Sequence, residues 1–119
     1  MINRVYLYDI QPGEDSLCKD SVEYFLENRD RLFKEKPPIN IFIIKGHVFK
    51  YYAIEGNSRL FVCHKLGITE IPVEPEEENE IESSFWYESA RIRYYSEGIM
   101  GWRDLESRIL PTEERERLP

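Results

Sequence analysis

The chain has 119 residues, 41% of them hydrophobic, with 23 acidic against 16 basic side chains and a formal net charge of −7. That length suits one domain burying a single core, and the acidic excess opposes non-specific nucleic-acid binding, which needs surplus Lys and Arg to neutralise phosphates. No apolar run approaches the ~20 residues of a membrane span, Met1–Val5 lacks the apolar run of a signal peptide, and two cysteines, Cys18 and Cys63, make neither a disulfide framework nor a zinc site, so a reducing, cytoplasmic setting is expected.

Val5-Tyr6-Leu7-Tyr8-Asp9-Ile10 alternates and is rich in β-formers, which predicts a first strand ended by Pro12-Gly13. Asp20, with Glu23 three residues on, predicts a capped helix start. Val22, Phe25, Leu26, Leu32 and Phe33 then share one face over about three turns, and Pro37-Pro38 stops the helix. Ile39 to Ile44 is a nearly continuous apolar run, as in a central strand covered on both faces. Gly46-His47 makes a tight turn, with His47 exposed, into a strand over Phe49–Ile54. That strand breaks at Gly56 and gives way to a helix with Leu60, Phe61 and Leu66 toward the core and Gly67 just past its end. A short strand over Ile68–Val73 follows.

After Pro75 the composition shifts. The acidic stretch over 76–82 reads as a solvated linker. Ser83 then caps a helix carrying Phe85, Trp86, Ala90, Ile92, Tyr94 and Tyr95, interrupted by Gly98. Trp102, Leu105 and Ile109 mark a further amphipathic helix stopped by Pro111, and Thr112-Glu113-Glu114-Arg115 has the capping-box pattern of a last short one. The expected organisation is a core over residues 1–75, a linker over 76–82 and a helical extension over 83–119 packed back on the core.

The strand-to-helix junction at Glu55-Gly56-Asn57-Ser58-Arg59 carries the chemistry. Glycine lets the backbone turn sharply and approach a ligand closely. The free N–H groups and positive dipole end of the new helix suit an anion, and Arg59 adds a planar fork that matches phosphate oxygens. The same residues can also be a plain turn, with Asn57 or Ser58 as an N-cap and Arg59 paired with a carboxylate. Glu55, at the C-terminal end of its strand, is placed to help hold Mg²⁺ or to act as a base, or simply to pair with Arg59.

Three segments in order, Pro37-Pro38-Ile39-Asn40-Ile41-Phe42-Ile43-Ile44-Lys45-Gly46, Tyr51-Tyr52-Ala53-Ile54-Glu55-Gly56-Asn57-Ser58-Arg59-Leu60 and Leu66-Gly67-Ile68-Thr69-Glu70-Ile71-Pro72-Val73, resemble the ParB N-terminal domain/sulfiredoxin superfamily over roughly residues 3–75. The resemblance implies an α+β fold: a small mixed sheet packed by helices, here with a helical C-terminal extension. It also implies nucleotide phosphates at the Gly-x-x-Arg corner, carried here by Gly56, Asn57, Ser58 and Arg59, with ATP or CTP as the ligand; Mg²⁺ with that nucleotide and Glu55 as the catalytic candidate follow from the place of Glu55 at the strand end. The start of the first helix borders the nucleotide site in that fold. Lys19, Asp20 and Ser21 match no family ligand one by one. The departures matter too. The sulfiredoxin corner reads Gly-Cys-His-Arg with a nucleophilic Cys, where this chain has Asn57 and Ser58. The ParB corner reads Gly-Glu-Arg-Arg and precedes a DNA-binding helix-turn-helix; 119 residues are expected to be too few for that whole assembly.

Cys63, beside Val62, reads as a small apolar residue. His47 and His64 lack the context of a triad, and Cys63 and His64 point about 100° apart. The leading expectation is therefore nucleotide or phosphate binding, with phosphoryl transfer or hydrolysis as the matching chemistry. The alternative is a non-catalytic interaction module that docks a partner or a second copy through the aromatic helices of 83–110. Base stacking by Arg91 and Arg93 beside Tyr94 and Tyr95, or ParB-like DNA binding or nuclease action, fits the acidic balance worst. No membrane contact is expected.

Overall fold

The computed structural model describes residues 4–35, 38–76 and 80–116. Its first element corrects the sequence reading. Strand β1 (Arg4–Tyr6) stops after three residues, a 3-10 turn spans Leu7–Asp9, and only then does β2 (Ile10–Gln11) begin. In one unbroken strand Ile10 would face away from Val5 and Leu7, because side chains alternate. The 3-10 turn allows Val5, Leu7 and Ile10 all to be buried. It also moves the chain between sheets, since β1 pairs with β6 (Glu70–Pro72) and β2 pairs with β5 (Tyr51–Glu55).

The main sheet has the order β2-β5-β4-β7, where β4 is Asn40–Ile43 and β7 is Glu74–Pro75. The central β4 and β5 run antiparallel, and the outer β2 and β7 lie parallel to their neighbours. The apolar run around β4 is covered on both faces, as expected. Ile41 and Ala53 belong to the larger core. Their neighbours Phe42 and Tyr52 face the other way, where Phe42 stacks on Trp86 with ring centres 5.1 Å apart. A further parallel pair joins β3 (Leu17–Cys18) to β8 (Ile109–Leu110).

Helix α1 spans Lys19–Glu27, with Cys18 rather than Asp20 at its N-cap. The longer helix expected from the apolar spacing ends at Asn28 (φ −120°, ψ 61°) and continues as a 3-10 turn over Arg29–Arg31. Leu32 is thereby buried and Phe33 left outside. Pro37, half of the expected stop, lies outside the described residues. Helix α2 (Asn57–Leu66) buries Leu60, Phe61, Val62 and Cys63 in succession, so it is enclosed on nearly every side. Gly67 closes it as expected, with Gly67 N–H reaching the His64 carbonyl (3.3 Å) and Ile68 N–H the Cys63 carbonyl (2.9 Å).

Helix α3 runs from Glu80 to Arg91, so it starts inside the stretch read as linker, and Ser83 lies within it rather than at its cap. A π-helical turn over Ile92–Ser96 follows. The segment Trp102–Arg108 is 3-10 rather than α-helical and runs directly into β8, before a short α4 (Thr112–Glu116). Three residues per turn put Trp102 and Leu105 in line, and both are fully buried. The tail thus covers the sheet twice. Ile99, Trp102 and Leu105 join the larger core, while Ala90, Trp86 and Tyr87 close the opposite face against Ile44 and Tyr52.

Candidate functional site

The expected corner is where β5 meets α2. Gly56 stands at φ +89° as the N-cap, and a Cβ there would also approach Ile39 Cγ1 to 2.8 Å. Neither Asn57 nor Ser58 caps the helix. Asn57 is the first helical residue, almost wholly buried, and its Oδ1 accepts the Gly13 N–H at 2.8 Å while its Nδ2 reaches the Ala53 carbonyl at 3.5 Å. Asn57 therefore ties the Pro12–Glu14 loop to the start of α2 and the middle of β5. That loop is clamped from the other side as well, because the Gly13 carbonyl accepts from the Tyr52 hydroxyl and from Arg93 Nη2, both at 3.2 Å.

Below the clamp lies a cavity of about 300 Å³. Gly56, Asn57, Ser58 and Arg59 line it from the start of α2, Cys18 and Ser21 from the start of α1 and Phe25 from its last turn, with Glu14 and Glu35 completing the wall. Two helix N-termini thus border one space, each with a positive dipole end. Arg59 is only 5% exposed. Its Nη1 donates to the Glu35 carbonyl at 3.4 Å, and its guanidinium lies 6.0 Å from the Phe25 ring centre. Burial pushes its pKa down from the ordinary arginine value, while the charges of Glu55 and Glu35 pull it back up. The structure brings together four of the five expected residues. Glu55 is exposed at the strand end and is not part of the cavity wall.

Cys18 and Ser21 line the cavity from α1, although the sequence reading assigned Cys18 no role there and matched Ser21 to no ligand. Cys18 sits at the N-cap of α1, and its Sγ lies 3.1 Å from Thr112 Oγ1. The Thr112 hydroxyl and then the Ser21 N–H hold its thiol below the usual value. Its place immediately before a helix start was the available signal, since helix N-termini favour thiolates. Asp20, expected as a cap, instead accepts from Thr112 Oγ1 at 2.9 Å.

The remaining candidates resolve into packing roles. Cys63 is fully buried, and burial pushes its thiol up to about 12. His64 Nδ1 is hydrogen-bonded to the Tyr8 hydroxyl at 2.9 Å. His47 is not an exposed turn residue: its Nδ1 accepts the Phe49 N–H at 3.1 Å, and Phe49, Tyr87, Tyr94 and Tyr95 surround the ring. Arg91 lies over Tyr87 and Tyr95, and Arg93 is committed to Glu97 and the Gly13 carbonyl.

Among the described residues no group of three or more His, Cys, Asp or Glu side chains could hold a metal ion, and no helix is long and apolar enough to cross a membrane. Comparison with protein-family models, with curated proteins and with solved structures gives no match to this chain.

Proposed function

We propose that this chain binds a phosphate-bearing nucleotide at the β5–α2 corner, in the manner implied by its resemblance to ParB N-terminal and sulfiredoxin-like domains. The observation that carries the reading is the cavity bordered by two helix N-termini with a nearly buried arginine in its wall. Backbone N–H groups at helix starts and a guanidinium are the donors that phosphate oxygens prefer. Glu14 and Glu35 in the same wall oppose a bare anion and favour one carrying a cation. Mg²⁺ fits that demand, because it is commonly held by substrate phosphates and water with one or two carboxylates. The volume lies at the small end of ligand sites, which suits a phosphate chain with the nucleoside extending outward. Such a charged ligand would be positioned by this chain's donors, and positioning with charge neutralisation is most of what phosphoryl transfer requires.

Equilibrium dialysis of ATP and CTP with Mg²⁺ tests this. Arg59→Lys removes the fork but keeps the charge, and is expected to weaken binding about tenfold, the loss of one charged hydrogen bond. Unchanged affinity would remove the corner as the site.

A second reading has its own observation. Phe85, Ile92 and Tyr95 are 61%, 46% and 62% exposed along α3 and its π-helical turn, and Phe85 and Ile92 are two turns apart on one face. This stripe suits docking of a partner or a second copy. Sedimentation of wild type and Phe85→Glu separates the cases, since self-association through the stripe predicts a heavier species that the variant loses.

A further inference from the structure

A second cavity, of about 370 Å³, lies away from the α2 corner and shares no residue with it. Four separate segments build it: Tyr8 from the 3-10 turn after β1, Val48 and Phe49 from the turn before β5, His64 from α2, and Met100 to Arg103 from the tail. Its floor is rigid. Trp102 is buried and its indole N–H donates to the Ile10 carbonyl at 3.1 Å, and the Met100 N–H is held by the Asp104 carboxylate at 2.9 Å. Val48 and Met100 line it yet stay 63% and 56% exposed, so these apolar side chains have no partner of their own to cover them. The lining is otherwise aromatic and apolar, apart from the Tyr8–His64 pair and Arg103.

The charges around it balance, with the Asp104 carboxylate held by the Met100 N–H, and Arg103 is the cation in the lining. Asp9 is paired with Lys50 at 3.8 Å and Glu106 with Lys65 at 2.9 Å. The Arg103 side chain makes no ion pair or hydrogen bond among the described residues. An apolar cavity with a few convergent polar groups is the usual form of a small-molecule site, and a guanidinium at its edge selects a carboxylate.

We infer that this cavity binds a small carboxylic acid with an aromatic or apolar body, the body between Phe49, Met100 and Trp102 and the carboxylate on Arg103. The full-length chain, titrated with phenylacetate and with its neutral counterpart phenylacetamide and followed by amide chemical shifts, tests this. Phenylacetate is expected to give saturable shifts at Tyr8, His64, Gly101 and Arg103. Phenylacetamide and the Arg103→Gln variant are each expected to show at least about tenfold weaker binding, the loss of a charge-assisted contact. Met100→Trp, which fills the cavity, is expected to abolish the shifts. Arg103 is exposed, so its replacement leaves the fold intact. Absence of saturable shifts at millimolar phenylacetate would overturn the inference, as would equal binding of the amide or unchanged binding by Arg103→Gln. Tighter binding of a short peptide ending in phenylalanine would assign the cavity to a chain terminus and overturn it likewise.

Discussion

A methyl group on Gly13 would lie 1.8 Å from the Ala53 carbonyl oxygen. No side-chain rearrangement relieves a clash with backbone, so Gly13→Ala must pull the loop off β5 and break the Asn57 contact. We predict a loss of about 3 kcal/mol, the upper end of overpacking costs, read as a lower urea midpoint, and an unchanged midpoint would refute the clamp. His47 gives a second prediction at this scale. Burial first, and then the Arg91 charge, hold it below the ordinary histidine value, so as pH falls the unfolded chain takes up a proton that the folded chain resists. Stability from His47 is therefore full above about pH 6.5 and is lost as pH drops through that value. His47→Phe should show a shallower fall in melting temperature than wild type between about pH 7 and pH 5. The two thiols are also expected to diverge. Iodoacetamide should label Cys18 and spare buried Cys63 in the native protein. Mass mapping of the adducts decides it, and equal labelling of both would contradict it.

At the scale of elements, the tail is part of the core rather than an appendage. Ile99, Trp102 and Leu105 sit in the larger cluster with Val5, Ile10 and Leu60. A chain ending at Gly98 is predicted to lose cooperative unfolding, measured by circular dichroism on heating, whereas a sharp transition near that of the full chain would refute this. The sequence was most legible where one physical signal dominated. The apolar run at Ile39–Ile44 could only be a covered strand, and Gly56 and Gly67 bracket α2 as their positive φ demands. It was least legible where tertiary contacts overrode local pattern. Val5–Ile10 alternates like one strand, but burying Leu7 and Ile10 together needs a 3-10 turn. Asp20 has a capping-box partner in sequence, yet Thr112, 92 residues away, takes its carboxylate. The α2 corner was readable because its residues are contiguous. The α1 side of the same cavity was expected only as a helix start, because which residues reach it, Cys18 and Ser21, is set by the packing of α1 on α2.

At the scale of the whole molecule, the main sheet has both faces covered, and the two cavities described lie on different segments. One is bordered by helix N-termini and polar groups, the other by aromatic rings and an arginine. The net charge of −7 makes both depend on local cations rather than on the overall field. The central claim concerns the first cavity, and thermal unfolding with Mg²⁺ and each of ATP, ADP, CTP and GTP tests it most directly. A ligand bound only by the folded chain adds about 2.7 kcal/mol at a hundredfold excess over its dissociation constant. Ser58→Glu, which places a carboxylate at the start of α2 in the cavity wall, where the phosphates are proposed to sit, is the control. The account predicts that at least one nucleotide raises the melting temperature of the wild type and leaves Ser58→Glu unmoved. No shift with any nucleotide, or the same shift in the variant, would contradict it.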